Sequence, residues 1–220
     1  MNVAENLDRV RDRISTAGGD PEAITVVAVT KGQPIEAHRA ALAAGLVDLG
    51  ENYAQELQAK ADELDDSRVR WHFVGRLQRN KVRQIAHAVT LWESVDRLAV
   101  GAEIARRAPG AAVLAQVDLT GRPDRGGMPP DLVPGLVAGL VDLGLDVRGL
   151  MAVGPPGPPD AARPGFEAVV DLADRLGLRE RSIGMSGDLE VAVAAGSTMV
   201  RVGTSLFGER SRLSARDVEN

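Results

Sequence analysis

Three lysines, Lys31, Lys60 and Lys81, are the side chains of this 220-residue chain able to attack a carbonyl as amines and form a Schiff base. Arginine supplies the remaining positive charge, and a guanidinium stays protonated, so it cannot take that role. Against so much arginine, each lysine asks for a reason. Lys31 follows a short apolar, β-branched run, ITVVAVT over residues 24–30, and so stands at a strand end. Lys60 lies in a polar helical stretch and is expected to face solvent. Lys81 begins or precedes a helix. Position makes Lys31 the candidate nucleophile of the three, although an ordinary rim lysine with no chemistry explains the pattern better.

A second group could bind phosphate. Ser186-Gly187 follows a strand and opens a helix, with Ser186 placed as N-cap or as a phosphate donor. Gly203-Thr204 follows the last strand and offers backbone N–H groups and a hydroxyl. Ordinary capping and turn chemistry would explain either pair alone; both together fall where barrels often bind phosphate. Arg201 lies in the strand just before Gly203. His72 stands between Trp71 and Phe73, where a satisfied core histidine is the usual case, and Asp188 and Glu190 suit a helix N-terminus. The histidines His38, His72 and His87 show no metal-ligand spacing, and the chain has no cysteine.

These residues need elements to carry them. Val3, Leu7, Val10 and Ile14 make one helical stripe, closed by Gly18-Gly19. After it, eight short strand-like runs alternate with helical ones: strands over 24–30, 46–50, 69–74, 89–94, 111–119, 146–153, 181–186 and 198–203. Pro34 suits the first turn of the helix after strand 1. Eight βα units predict a closed (β/α)8 barrel, with an open doubly wound sheet as the alternative. The Pro/Gly-rich stretch 154–164 reads as a loop rather than a domain boundary. In a barrel the sites lie at the carboxyl ends of the strands, where Lys31, Glu51-Asn52, His72 with Trp71 and Phe73, Met151, Met185-Ser186, Arg201, Gly203 and Thr204 are placed.

Composition narrows the classes. A net charge of −5 argues against nucleic acid as the main partner. The basic stretch 76–83 (RLQRNKVR) reads first as a solvated helix start. The N-terminal segment is not a signal peptide, and no apolar run is long enough to span a membrane. A soluble cytoplasmic protein is the expectation.

The strand ends carry motifs that resemble the YggS/PROSC family of pyridoxal 5′-phosphate (PLP)-binding homeostasis proteins. They are AVTKGQP (28–34), GENYAQE (50–56), WHFVGRLQRNK (71–81), SVDR (94–97), GLMAV (149–153) and GMSGDLEVAVAAGSTMVRVGTSLFG (184–208). The resemblance implies a single PLP-binding domain over residues 1–220. Its fold would be a TIM barrel of PLP fold type III without the C-terminal β-domain of alanine racemase. Lys31 corresponds to the family's Schiff-base lysine. Ser186, Gly203 and Thr204 match its phosphate-binding positions, and Arg201 matches the arginine facing the pyridine nitrogen. Asn52, His72 and Met151 match positions that line the cofactor. Two departures stand out. The family often reads SKTKP where this chain has TKGQP, and it often has a lysine where this chain has Arg125.

The resemblance implies a monomeric, non-enzymatic PLP carrier with PLP-dependent apoenzymes as recipients and no membrane or nucleic-acid partner. The alternative is a fold-type III enzyme such as an amino-acid racemase, which needs acid/base groups on both faces of the cofactor. One tyrosine, Tyr53, and no segment for a β-domain weigh against it. A sugar-phosphate enzyme on the same barrel is disfavoured because no carboxylate pair or metal cluster reads at the strand ends.

Overall fold

A computed structural model describes residues 2–122 and 126–208. Eight strands, β1 (Thr25–Val29), β2 (Asp48–Glu51), β3 (Arg70–Phe73), β4 (Val89–Val95), β5 (Ala112–Val117), β6 (Asp146–Ala152), β7 (Glu180–Met185) and β8 (Met199–Val202), close in sequence order. Every neighbouring pair is parallel, including β8 with β1. The closed (β/α)8 arrangement stands, and the open sheet does not. Helix α1 (Val3–Thr16) precedes the barrel and buries Val3, Leu7, Val10 and Ile14, the four residues of the predicted stripe.

Between the strands run α2 (Ile35–Ala43), α3 (Ala54–Leu64), α4 (Val82–Ile85), α5 (Leu98–Arg107), α6 (Val133–Asp142), α7 (Arg163–Arg175) and α8 (Leu189–Ala195). A single turn, α9 (Thr204–Phe207), follows β8. Two expected helix starts move. Pro34 is the N-cap of α2 rather than a first-turn residue. Asp188, not Ser186, is the N-cap of α8, because its Oδ1 accepts the Met185 N–H at 2.6 Å and closes a turn that leaves Ser186 outside the helix. Among the described residues no helix is long and apolar enough to cross a membrane.

The period of two along each strand sorts side chains between two cores. Leu150 and Ala152 of β6, and Val200 and Val202 of β8, face the helices and join the large apolar layer there. Met151 points the other way, into a small cluster inside the barrel with Val27, Leu91, Ala112, Leu114 and Met199. The rest of the barrel interior is polar. Asp48, His72, Glu93, Ser182 and Arg201 are all buried and bonded to one another.

Candidate functional site

A cavity of about 800 Å³ opens at the carboxyl ends of the strands. Lys31, Asn52, Ser186, Arg201, Gly203 and Thr204 all line it, so six residues singled out in the sequence converge on one space. They arrive from β1, β2, β7 and β8, strands that are adjacent around the barrel.

The loops after β7 and β8 form one side. The Ser205 N–H donates to Ser186 Oγ at 3.2 Å, tying the two loops together. Gly203 lies against β1: a Cβ there would stand 3.1 Å from the Val29 carbonyl oxygen. Arg13 of α1 braces both loops from outside. It donates to the Ser186 carbonyl at 2.9 Å and to Ser205 Oγ at 3.2 Å, and its own charge is met by Glu190 at 2.6 Å. Local spacing could not reveal Arg13, because its partners lie more than 170 residues away in sequence. Glu190 therefore serves as a counter-ion to α1 as well as a first-turn acid.

Arg201 lines the cavity from β8 and is fixed from behind. Its Nη1 donates to the Ser182 carbonyl and Oγ, both at 2.6 Å, and its Nη2 donates to the Ala152 carbonyl at 2.8 Å. The Ser182 hydroxyl donates to Glu93 Oε2 at 2.5 Å. Glu93 Oε1 then meets His72 Nδ1 at 2.6 Å, and His72 Nε2 meets Asp48 Oδ1 at 3.0 Å. Arg70 closes the chain, donating to Asp48 at 2.7 Å. Cation and carboxylate alternate from the cavity down through the barrel to its other end.

His72 thus does not line the cavity; both ring nitrogens are spent on carboxylates below it. Met151 is also absent from the lining, because it packs one interior layer down, and Val153, two residues on, takes the lining position. Both side chains point into the barrel, one layer below the cavity.

Burial alone would pull the His72 pKa down, but hydrogen bonds to Asp48 and Glu93 and their charges raise it to about 9. Burial alone would lift Glu93, yet the His72 hydrogen bond and charge, helped by Arg201, bring it below the usual carboxylate range. A histidine with a raised folded-state pKa stabilises the fold fully below its unfolded value of 6.5 and loses that contribution as pH climbs through about 9. The urea midpoint should fall across that window in the wild type, and the fall should flatten in His72→Gln. A midpoint that does not move over the window would contradict a charged His72.

Two other lysine expectations resolve differently. Lys81 does line the cavity. Lys60 does not face solvent: its side chain is 11 % exposed, and Nζ donates to the Thr30 carbonyl, Glu51 and Glu56. The reason is that Glu51, at the end of β2, points outward to the helices and offers a buried carboxylate that Lys60 reaches from α3. Gln33, standing where the family often has a second lysine, lines the cavity. Arg125 lies outside the described residues.

Asn52 also lines the cavity, and its Oδ1 is buried with no hydrogen-bond partner among the described residues. Its backbone is pressed by the loop after β3: a Cβ at Gly75 would fall 2.0 Å from the Asn52 carbonyl oxygen, so only glycine fits. Tyr53, the N-cap of α3, reaches the cavity as well and remains 44 % exposed. Among the described residues no group of histidines and carboxylates could hold a metal ion.

Comparison with known proteins follows the same lines. The alanine racemase N-terminal domain family matches residues 1–211. A pyridoxal phosphate homeostasis protein of Pseudomonas aeruginosa is 40 % identical over 219 residues, covering 95 % of this chain and 94 % of that one. The protein of the same name from Escherichia coli K12 is 38 % identical over 229 residues, covering 95 % and 97 %. The structure of PipY from Synechococcus elongatus with PLP bound superposes with a TM-score of 0.82 at 33 % identity, covering 94 % of this chain and 100 % of that one. An alanine racemase of Clostridium difficile, at 16 % identity and a TM-score of 0.74, shares the fold; the match covers 93 % of this chain and 57 % of that one. From residues 1–211 and from relatives aligned over nearly their whole length, the chain belongs to the alanine racemase N-terminal domain family, among the proteins named pyridoxal phosphate homeostasis protein.

Proposed function

We propose that this protein binds PLP in the strand-end cavity, holds it by a Schiff base on Lys31, and acts as a non-catalytic carrier in intracellular PLP homeostasis. The observation that carries this reading is the meeting of the strand-end lysine Lys31, the loops after β7 and β8, and the buried Arg201 in a single cavity. PLP, when bound, supplies an aldehyde that an amine can capture and a pyridine ring that can draw electrons from the captured carbon.

The residues present fit that group. Ser186, Gly203 and Thr204 offer hydroxyls and backbone N–H groups to a phosphate, and the α9 turn starts there. The unpartnered Asn52 Oδ1 is an acceptor waiting for a donor in the same cavity. Arg201 turns a permanent positive charge toward the cavity, where it disfavours protonation of a ring nitrogen beside it. That weakens the ring as an electron sink and suits storage better than turnover. The finer parts of the proposal are a monomeric state, a cytoplasmic setting and PLP-dependent apoenzymes as recipients.

Visible absorbance after PLP addition, followed by a challenge with amino acids, tests the carrier reading. A visible band that forms without any racemised or transaminated product is the expected result. Tyr53 at the cavity is the one observation that favours the enzyme alternative, and product formation that disappears in Tyr53→Phe would establish it. Arg13→Leu should weaken PLP binding about fivefold, roughly the 1 kcal/mol of a partly exposed charged contact, through the loosened loops. A binding titration reads this directly, and an unchanged dissociation constant would free Arg13 of that role.

A further inference from the structure

We propose that Lys60, with Glu51 and Glu56, is a positioning cluster that fixes the main chain on both sides of Lys31 and thereby sets how fast Lys31 captures PLP. This rests on the reading that Lys31 is the attachment point.

The geometry is specific. Lys60 Nζ donates at 3.0 Å to the Thr30 carbonyl, which belongs to the peptide unit immediately before Lys31. Glu56 Oε2 accepts at 2.8 Å from the Gly32 N–H, which belongs to the unit immediately after it. Lys60 Nζ also joins Glu51 and Glu56, each at 2.8 Å, so the two grips form one connected body. Thr30 Oγ1 adds a third hold, donating to Glu51 Oε1 at 2.7 Å, and His38 Nε2 meets the same oxygen at 3.2 Å. With both flanking peptide planes held, the backbone angles of Lys31 are determined and so is the direction of its Cα–Cβ bond. Gly32 completes the turn at φ +66°, a left-handed conformation natural to glycine.

The cluster is also buried where it has no other evident task. Thr30, His38 and Glu51 are fully buried behind β1 and β2, on the helix side of the sheet, and none of them lines the cavity. Burial would raise Glu51, but the hydrogen bonds from His38, Lys60 and Thr30 and the Lys60 charge outweigh it and keep the group ionised. A buried ion cluster of this kind is weak evidence for stability. Its contacts with the two peptide units around one lysine give it a use that packing alone does not require.

Capture joins the Lys31 amine nitrogen to the aldehyde carbon as a C=N bond and releases one water, whose oxygen is the former aldehyde oxygen. That step depends on where Nζ stands, whereas phosphate binding depends on the loops after β7 and β8. The two can be measured apart. Pyridoxine 5′-phosphate has no aldehyde and reports the cradle alone; PLP with rapid-mixing absorbance reports capture. In Lys60→Met and in Glu56→Ala the capture rate should fall roughly tenfold or more, as expected for a displaced reacting group, while the pyridoxine 5′-phosphate dissociation constant stays at the wild-type value. Glu56 is less deeply buried than Glu51, so Glu56→Ala covers the case in which Lys60→Met fails to fold. An unchanged capture rate in Glu56→Ala, or parallel losses of capture and pyridoxine 5′-phosphate binding, would overturn the positioning role. Absence of any visible band in the wild type would instead overturn the Lys31 reading beneath it.

Discussion

Lys31→Ala is expected to abolish the visible band that PLP produces with the wild type and to weaken PLP binding by at least roughly tenfold, or about 1.4 kcal/mol. Lys31 is the lysine that both stands at a strand end and lines the cavity beside the phosphate loops; Lys60 is committed to Glu51 and Glu56 outside the cavity. The substitution removes the covalent bond but leaves Ser186, Gly203, Thr204 and Arg201 in place. Residual binding should therefore persist and be competed by inorganic phosphate. Lys31→Ala should fold like the wild type, since Lys31 is only partly buried and the loop around it is pinned through its neighbours' main chain. A visible band that survives in this variant would move the attachment point to Lys81, the other lysine lining the cavity.

Glu93→Ala is expected to be the most damaging single change in the barrel interior, costing about 3–5 kcal/mol. Glu93 is fully buried and holds three partners: His72 on one oxygen, the Ser182 hydroxyl on the other, and the Arg201 charge 3.9 Å away. Its removal leaves two buried cations, His72 and Arg201, facing a void. At about 2–4 °C of melting temperature per kcal/mol for a chain of this size, the midpoint should drop by roughly 6–20 °C. Glu93→Gln keeps the shape and one acceptor and should cost less. The penalty of Glu93→Ala should shrink above about pH 9, where His72 gives up its proton. Thermal melts at neutral and alkaline pH check this, and equal penalties at both would show that His72 carries no charge against Glu93.

Much of the fold was legible because buried parallel strands and amphipathic helices leave strong patterns. The α1 stripe was readable residue by residue, and all eight strands were found, with ends displaced by a residue or two. The cavity was legible for a related reason: barrel sites gather at strand carboxyl ends, which brings Lys31, Asn52, Ser186, Gly203 and Thr204 together from the order of elements. Depth inside the barrel was not legible. His72 and Met151 face inward as their parity requires, but which layer an inward residue occupies depends on strand tilt and register, and both sit below the cavity floor.

Long-range polar contacts were equally hidden. Lys60 looked solvated because its own helix is polar; its partner Glu51 reaches it across the β2–α3 boundary only once β2 turns that side chain outward. Arg13 of α1 has no local signal, because its partners come from the last βα unit. At the departure from the family's usual motif, Gln33 lines the same cavity as Lys31.

The most direct test of PLP attachment is to reduce the PLP-loaded protein with borohydride, digest it, and locate the added mass by peptide sequencing. The modification should fall on Lys31 and on no other lysine. A tag on Lys81 or Lys60, or none at all, would contradict the assignment of Lys31 as the residue that holds the cofactor.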